Sequence, residues 1–220
     1  MSKATSTDLE FFFDPICPFA WITSRWVNEV SAQRDYTVEW RFICLAIINE
    51  NADYSNFPPN YPLLHGLGKR LLRIAAAIRS EVGNDGVARF YTACGEHLHH
   101  RGVSMAIFGG DPIPENLIET ILSDADLPTS LAAQADNEEH DKLLRQESEL
   151  AFSRTGPDVG TPILTFAPGT ETEASLFGPV ISSIPRGKQA VELWAAVETM
   201  ARTPGFAELK RTIRAPLSFE

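Results

Sequence analysis

The junction at residues 9–21 constrains this chain more than any other segment. Leu9 to Phe13 is a short apolar run stopped by Asp14-Pro15, and from Pro18 the apolar residues Phe19, Trp21, Ile22, Trp26, Val27 and Val30 recur at helical spacing until Gln33-Arg34-Asp35. A buried strand therefore gives way at once to an amphipathic helix, with Cys17 at the candidate N-cap and Pro18 in the first turn. Free N–H groups and the positive end of the helix dipole gather at such a terminus and favour a thiolate over a thiol. Tyr36 to Ile47 reads as a second strand, alternating at Val38, Trp40 and Phe42 and wholly apolar beyond. Strand, helix and strand in this order call for a parallel pair joined by a right-handed crossover.

The middle of the chain changes character. Asn49 to Pro62 is polar and proline-bearing, a connection. Tyr61 to Val82, Val87 to His100, Pro114 to Leu122 and Ser130 to Arg154 carry helical spacing and helix-friendly residues, so three or four helices follow. Strand character returns at Ile163 to Phe166, opened by Gly160-Thr161-Pro162, and at Ala174 to Phe177, closed by Gly178-Pro179. Lys188 to Ala201 is a last amphipathic helix, with Val191, Leu193, Trp194, Val197 and Met200 as its inner side. The order βαβ, helices, ββα is the thioredoxin arrangement with an inserted all-helical domain, an α/β fold. Residues 1–58 and 156–220 would form the thioredoxin-like domain and 59–155 the helical insertion.

Composition closes off other classes. With 220 residues, 44% of them hydrophobic, the chain has material for one good core and a sizeable appendage. A formal net charge of −10 argues against a phosphate-binding surface, and so against nucleic acid as the partner. No uncharged run approaches a membrane span, and no signal-length apolar segment forms before Asp14-Pro15. Cys17, Cys44 and Cys94 are an odd, widely spaced set, which suits a reducing cytoplasm better than a disulfide framework.

Phe13-Asp14-Pro15-Ile16-Cys17-Pro18-Phe19-Ala20-Trp21, with Gly160-Thr161-Pro162 and Phe177-Gly178-Pro179, resembles the DsbA-like family over nearly the whole chain. Within that family the sequence is most similar to the actinobacterial branch that includes the mycothiol-dependent nitroreductases. That branch usually carries Cys-Pro-Trp-Cys, so Phe19 is a mild departure and Ala20 a serious one. Kappa-class glutathione transferases and 2-hydroxychromene-2-carboxylate isomerases are more distant relatives, usually with Ser at the position of Cys17. The resemblance implies a cis Pro162 facing the nucleophile and a Thr161 backbone that pairs with the peptide-like part of a thiol substrate. It also implies mycothiol or a similar low-molecular-weight thiol as cosubstrate, with no tightly bound cofactor.

Each residue also has a plainer role. Cys17 can be a reactive thiol or a small apolar filler at a strand–helix junction. Cys44 reads as strand core, and Cys94 lies on a helix from which it could resolve a disulfide with Cys17. His97, His99 and His100 lack a completing ligand set and read as a solvated helix end before Gly102, so no metal site is expected. Asp14 is a turn residue, or else it tunes the thiol or relays its proton. Phe19 and Trp21 could wall a substrate pocket, although helical phase turns one of them to the core. Arg186 could meet a substrate carboxylate, or be solvated.

Because Ala20 removes the second thiol, a standard disulfide oxidase is excluded unless Cys44 or Cys94 substitutes. The leading reading is a thiol-dependent oxidoreductase. Cys17 is its nucleophile, Asp14, Pro18, Phe19, Ala20 and Trp21 frame the site, and Thr161-Pro162 form the docking edge. Its partners would be a small thiol and a small organic acceptor or mixed disulfide, and a homodimer is compatible with it. The alternatives are a kappa-class transferase or isomerase, in which the bound cosubstrate's thiol attacks, and a binding protein that kept the fold without the chemistry.

Overall fold

In the computed structural model, which describes residues 7–220, the chain begins with β1 (Leu9–Phe13), α1 (Pro18–Ser31) and β2 (Val38–Phe42). Helices α2 (Leu45–Ile48), α3 (Tyr61–Glu81), α4 (Asn84–Gly95), α5 (Val103–Gly109), α6 (Leu117–Asp124) and α7 (Asp141–Thr155) follow. It closes with β3 (Ile163–Phe166), β4 (Ala174–Phe177) and α8 (Gly187–Ala201). The four strands lie in the order β2-β1-β3-β4, with β3 antiparallel to both β1 and β4. Leu9 pairs with Phe166 and Phe12 with Ile163, so the strand that leads into Cys17 is central to the sheet. The Thr161–Pro162 and Gly178–Pro179 peptides are cis.

Two compact units divide the chain. One comprises the N-terminal segment through Phe13, Phe19–Arg41 and Ala151–Glu220; the other comprises Asp14–Pro18 and Phe42–Leu150. These cuts fall at different residues from the 58 and 155 of the sequence reading. In the sheet-bearing unit β1 is wholly buried, and Trp26 of α1 meets Trp194 of α8 edge to face at 5.2 Å. The Trp26 indole N–H donates to the Ala190 carbonyl at 2.9 Å, which satisfies a polar atom that burial would otherwise penalise. Glu10, buried on β1, is held by Arg41 at 2.7 Å and by Arg154. In the helical unit α3 buries Leu64, Leu67, Leu71, Ile74 and Ile78, a three- and four-residue alternation that makes one continuous apolar stripe.

Several expectations need correction. The second strand stops at Phe42 instead of Ile47, because side chains of α7 take the next backbone donors: Phe42 N–H goes to Glu147 at 2.8 Å and Cys44 N–H to Ser148 at 3.0 Å. Cys44 is therefore not strand core but the buried residue before α2. The helix expected over Ser130–Arg154 is broken into 3₁₀ turns at Thr129–Asp136 and Glu138–His140 before α7; Asn137 accepts from Glu139 N–H at 3.1 Å and interrupts it. Helix α5 has no counterpart in the sequence reading; left-handed Gly102 and Gly110 bound it. On α8 the inner side is Ala190, Trp194 and Val197, whereas Leu193 faces outward, since it sits about 100° around the helix from Trp194.

Candidate active site

Cys17 is the residue immediately before the 14-residue α1, whose first turn holds no acidic side chain to oppose an anion. Its backbone N–H donates to the Asp14 carbonyl at 3.0 Å and closes a tight turn over Asp14-Pro15-Ile16-Cys17. The residue is buried, with 9% of its surface exposed. Cys44 and Cys94 are both fully buried, and all three cysteines are free thiols. Burial pushes the Cys44 thiol up to about 12 and the Cys94 thiol well above its ordinary value. Neither is a ready source of thiolate at neutral pH.

The turn reading of Asp14 is incomplete. Its carboxyl is fully buried and accepts two backbone N–H groups, from Ile16 at 3.1 Å on Oδ1 and from Leu45 at 2.8 Å on Oδ2. Desolvation outweighs these bonds and raises its pKa from 3.8 to about 7. Gly68 of α3 makes room for it, since a Cβ there would lie 2.6 Å from Oδ1.

His99 is not part of a solvated helix end. The segment Glu96–His100 is a π-turn that continues α4 and buries His97 and His99. His99 Nε2 donates to the Pro15 carbonyl at 2.9 Å, in the turn that carries Cys17, and burial lowers its pKa to about 4. His97 pairs with Asp124 at 2.8 Å. Among the described residues no cluster of three or more His, Cys, Asp or Glu side chains is placed to hold a metal. Tyr61, at the start of α3, has its hydroxyl pKa raised by burial, and the charge of Cys17 adds to the shift. It packs between Phe57 at 5.1 Å and His65 at 4.9 Å.

The remaining candidates divide between the units. Asp14, Cys17 and Pro18 belong to the helical unit, and Phe19, Ala20, Trp21, Thr161 and Pro162 to the sheet-bearing one. Trp21 is fully buried with the Arg25 guanidinium 4.0 Å over its ring, so it is a core residue and Phe19 is the half-buried one of the pair. Ala20 is fully buried too. The Thr161 hydroxyl donates to the Phe12 carbonyl at 3.1 Å, anchoring the start of β3 to β1. Arg186 is tied to Glu29 at 3.4 Å on the surface. Sequence reasoning passed over Tyr61 and Gly68; a glycine inside the apolar stripe of α3 was the one available sign of a close approach.

Residues 16–211 match the model of the Rv2466c-like family, described as "Mycothiol-dependent nitroreductase Rv2466c". The chain belongs to this family. Among relatives of the Rv2466c-like chain is "Uncharacterized protein Rv2286c" of Mycobacterium tuberculosis, 33% identical over 207 residues that cover 93% of this chain and 82% of the relative. A Pseudomonas syringae structure described as a "putative protein-disulfide isomerase" superposes with a TM-score of 0.53 at 19% identity, covering 86% of this chain and 92% of that one. Another, "probable DsbA oxidoreductase SCO1869" from Streptomyces coelicolor, covers 93% and 94% at 15% identity with a TM-score of 0.42. The fold is thioredoxin-like with inserted helices, as the strand order and the first of these structures show. Among the described residues no helix is long and apolar enough to cross a membrane.

Proposed function

We propose that the protein is a thiol-dependent oxidoreductase in which Cys17 works as a monothiol and a low-molecular-weight thiol of the mycothiol type completes the cycle. The observation that carries this reading is one cysteine directly before the N-terminus of α1, with buried Ala20 where a resolving thiol would stand. Membership of a family described as mycothiol-dependent nitroreductases supports the choice of cosubstrate. The Cys17 thiolate attacks one sulfur of a disulfide R–S–S–R′, forms Cys17–S–S–R and expels R′–S⁻. The thiolate of the external thiol then attacks the R sulfur, forms a new disulfide with R and returns Cys17 as thiolate. With a reducible organic acceptor, the Cys17 thiolate and the small thiol together give up two electrons and one proton and become a mixed disulfide. A second thiol molecule resolves it.

In this scheme Pro18 starts the helix whose dipole favours the thiolate, Phe19 lines the approach, and the Thr161-Pro162 backbone docks the thiol substrate. A reducing cytoplasm is the compartment in which the external thiol is available. The test is intact-mass measurement after brief exposure to oxidised mycothiol and, separately, oxidised glutathione. One adduct is expected, located at Cys17 and absent from Cys17→Ser. A Cys17→Ser protein that retains turnover would overturn the proposal in favour of attack by the bound cosubstrate's own thiol.

A further inference from the structure

Four hydrogen bonds fasten the turn that presents Cys17. The Asp14 carbonyl takes the Cys17 N–H, the Pro15 carbonyl takes His99 Nε2, and the Asp14 carboxyl bridges Ile16 N–H and Leu45 N–H. That carboxyl has no exposed surface, and it occupies the space that a Cβ at Gly68 would need, 2.6 Å from Oδ1. We propose that Asp14 is a positioning residue for Cys17, whose buried carboxyl fixes the thiol turn to the start of α2 and whose ionisation opposes that of the thiol at the other end of the turn. The proposal rests on Cys17 as the nucleophile.

Tyr61, at the start of α3, feels the charge of Cys17, and burial helps keep its hydroxyl protonated, so the surrounding groups leave Asp14 and Cys17 to titrate against each other. Cys44, beside α2, and Cys94, on α4, both feel the Asp14 charge, and burial keeps both protonated at neutral pH. His99, behind the turn, is held neutral above about pH 4. Lys69, next to Gly68 on α3, supplies a positive charge that acts on Cys44. Asp14 itself, at about 7, changes charge in the range where a thiol is activated. The proposed coupling is reciprocal: a charge on either group opposes ionisation of the other, so whichever ionises second is delayed.

The experiment follows both partners in the full chain between pH 4 and 10. Iodoacetamide labelling, read by mass spectrometry on the Cys17 peptide, gives the thiol midpoint. The ¹³C shift of the Asp14 carboxyl gives the other. Either Asp14→Asn moves the Cys17 midpoint down, or Cys17→Ser moves the Asp14 midpoint down, by on the order of one pH unit. If neither midpoint moves, the proposal is wrong. Should Asp14→Asn not fold, Leu45→Pro keeps the carboxyl and deletes one of its donors; proline suits the first position of α2, and Cys44 already has the extended backbone that precedes a proline. That variant raises the Asp14 midpoint and steepens the labelling profile below it. A protein whose Cys17 resists labelling in every variant refutes the nucleophile reading instead, and the carboxyl signal still decides the coupling.

Discussion

Two small residues govern the thiol site at the residue scale. A methyl group at Gly68 would lie 2.6 Å from Asp14 Oδ1 and 3.1 Å from Ile16 Cγ1, against a fully buried carboxyl rather than the end of a flexible chain. Gly68→Ala should lower stability by about 1–3 kcal/mol, read as a fall in Tm by calorimetry. An unchanged Tm would mean that the turn yields easily and that Asp14 is not tightly held. Ala20 is the other. It occupies a buried position three residues after Cys17, the spacing at which a second thiol closes a disulfide at a helix start. Ala20→Cys should gain a disulfide between Cys17 and the introduced thiol on mild oxidation, so that thiol titration of the unfolded protein counts two fewer sulfhydryls after oxidation than before. The wild-type chain should show no such drop, since Cys44 and Cys94 are buried and protonated.

At the scale of elements, α7 decides where β2 ends. Glu147 takes the Phe42 N–H at 2.8 Å and the Arg79 guanidinium at 2.8 Å, and Ser148 takes the Cys44 N–H at 3.0 Å while donating to Leu144 O at 2.7 Å. These groups replace a strand partner with side chains on a helix more than 100 residues away, which no local pattern in Phe42 to Ile48 reveals. Ser148→Ala leaves a buried backbone donor unsatisfied and should cost about 1–3 kcal/mol in urea denaturation. A change below a few tenths would show that water reaches the Cys44 amide. The same reasoning explains what was legible. Leu9–Phe13, Ile163–Phe166 and Ala174–Phe177 match their sequence expectations to the residue because turn chemistry brackets them and apolar character fills them. The position of Cys17 before α1 follows from Pro18 and the helical spacing behind it. Burial of Asp14, His97 and His99 does not follow, because what covers a polar side chain is set by tertiary neighbours.

For the whole molecule, the two buried titratable groups of the thiol turn pull stability in opposite directions. The Asp14 pKa is raised in the folded state, from 3.8 to about 7, so the folded chain binds the extra proton and the stability tied to it is full below 3.8 and lost as pH rises through 7. The His99 pKa is lowered, from 6.5 to about 4, so the unfolded chain binds the extra proton, and its stabilising share is full above 6.5 and lost as pH falls through 4. Shifts of this size correspond to on the order of a few kcal/mol each, with opposite slopes over nearly the same window. Between pH 4 and 6.5 these two contributions to the wild-type Tm should therefore nearly cancel, leaving the shallower slope of the other shifted groups such as His65. Asp14→Asn should unmask the histidine, giving a Tm that climbs with pH over that window. His99→Gln, whose amide can still donate to the Pro15 carbonyl, should unmask the carboxyl and give a Tm that falls. Calorimetry of the three proteins at half-unit pH steps checks this directly: parallel pH profiles would mean that neither group is buried in the form that unfolds, whereas slopes of opposite sign locate both protons at the turn beneath Cys17.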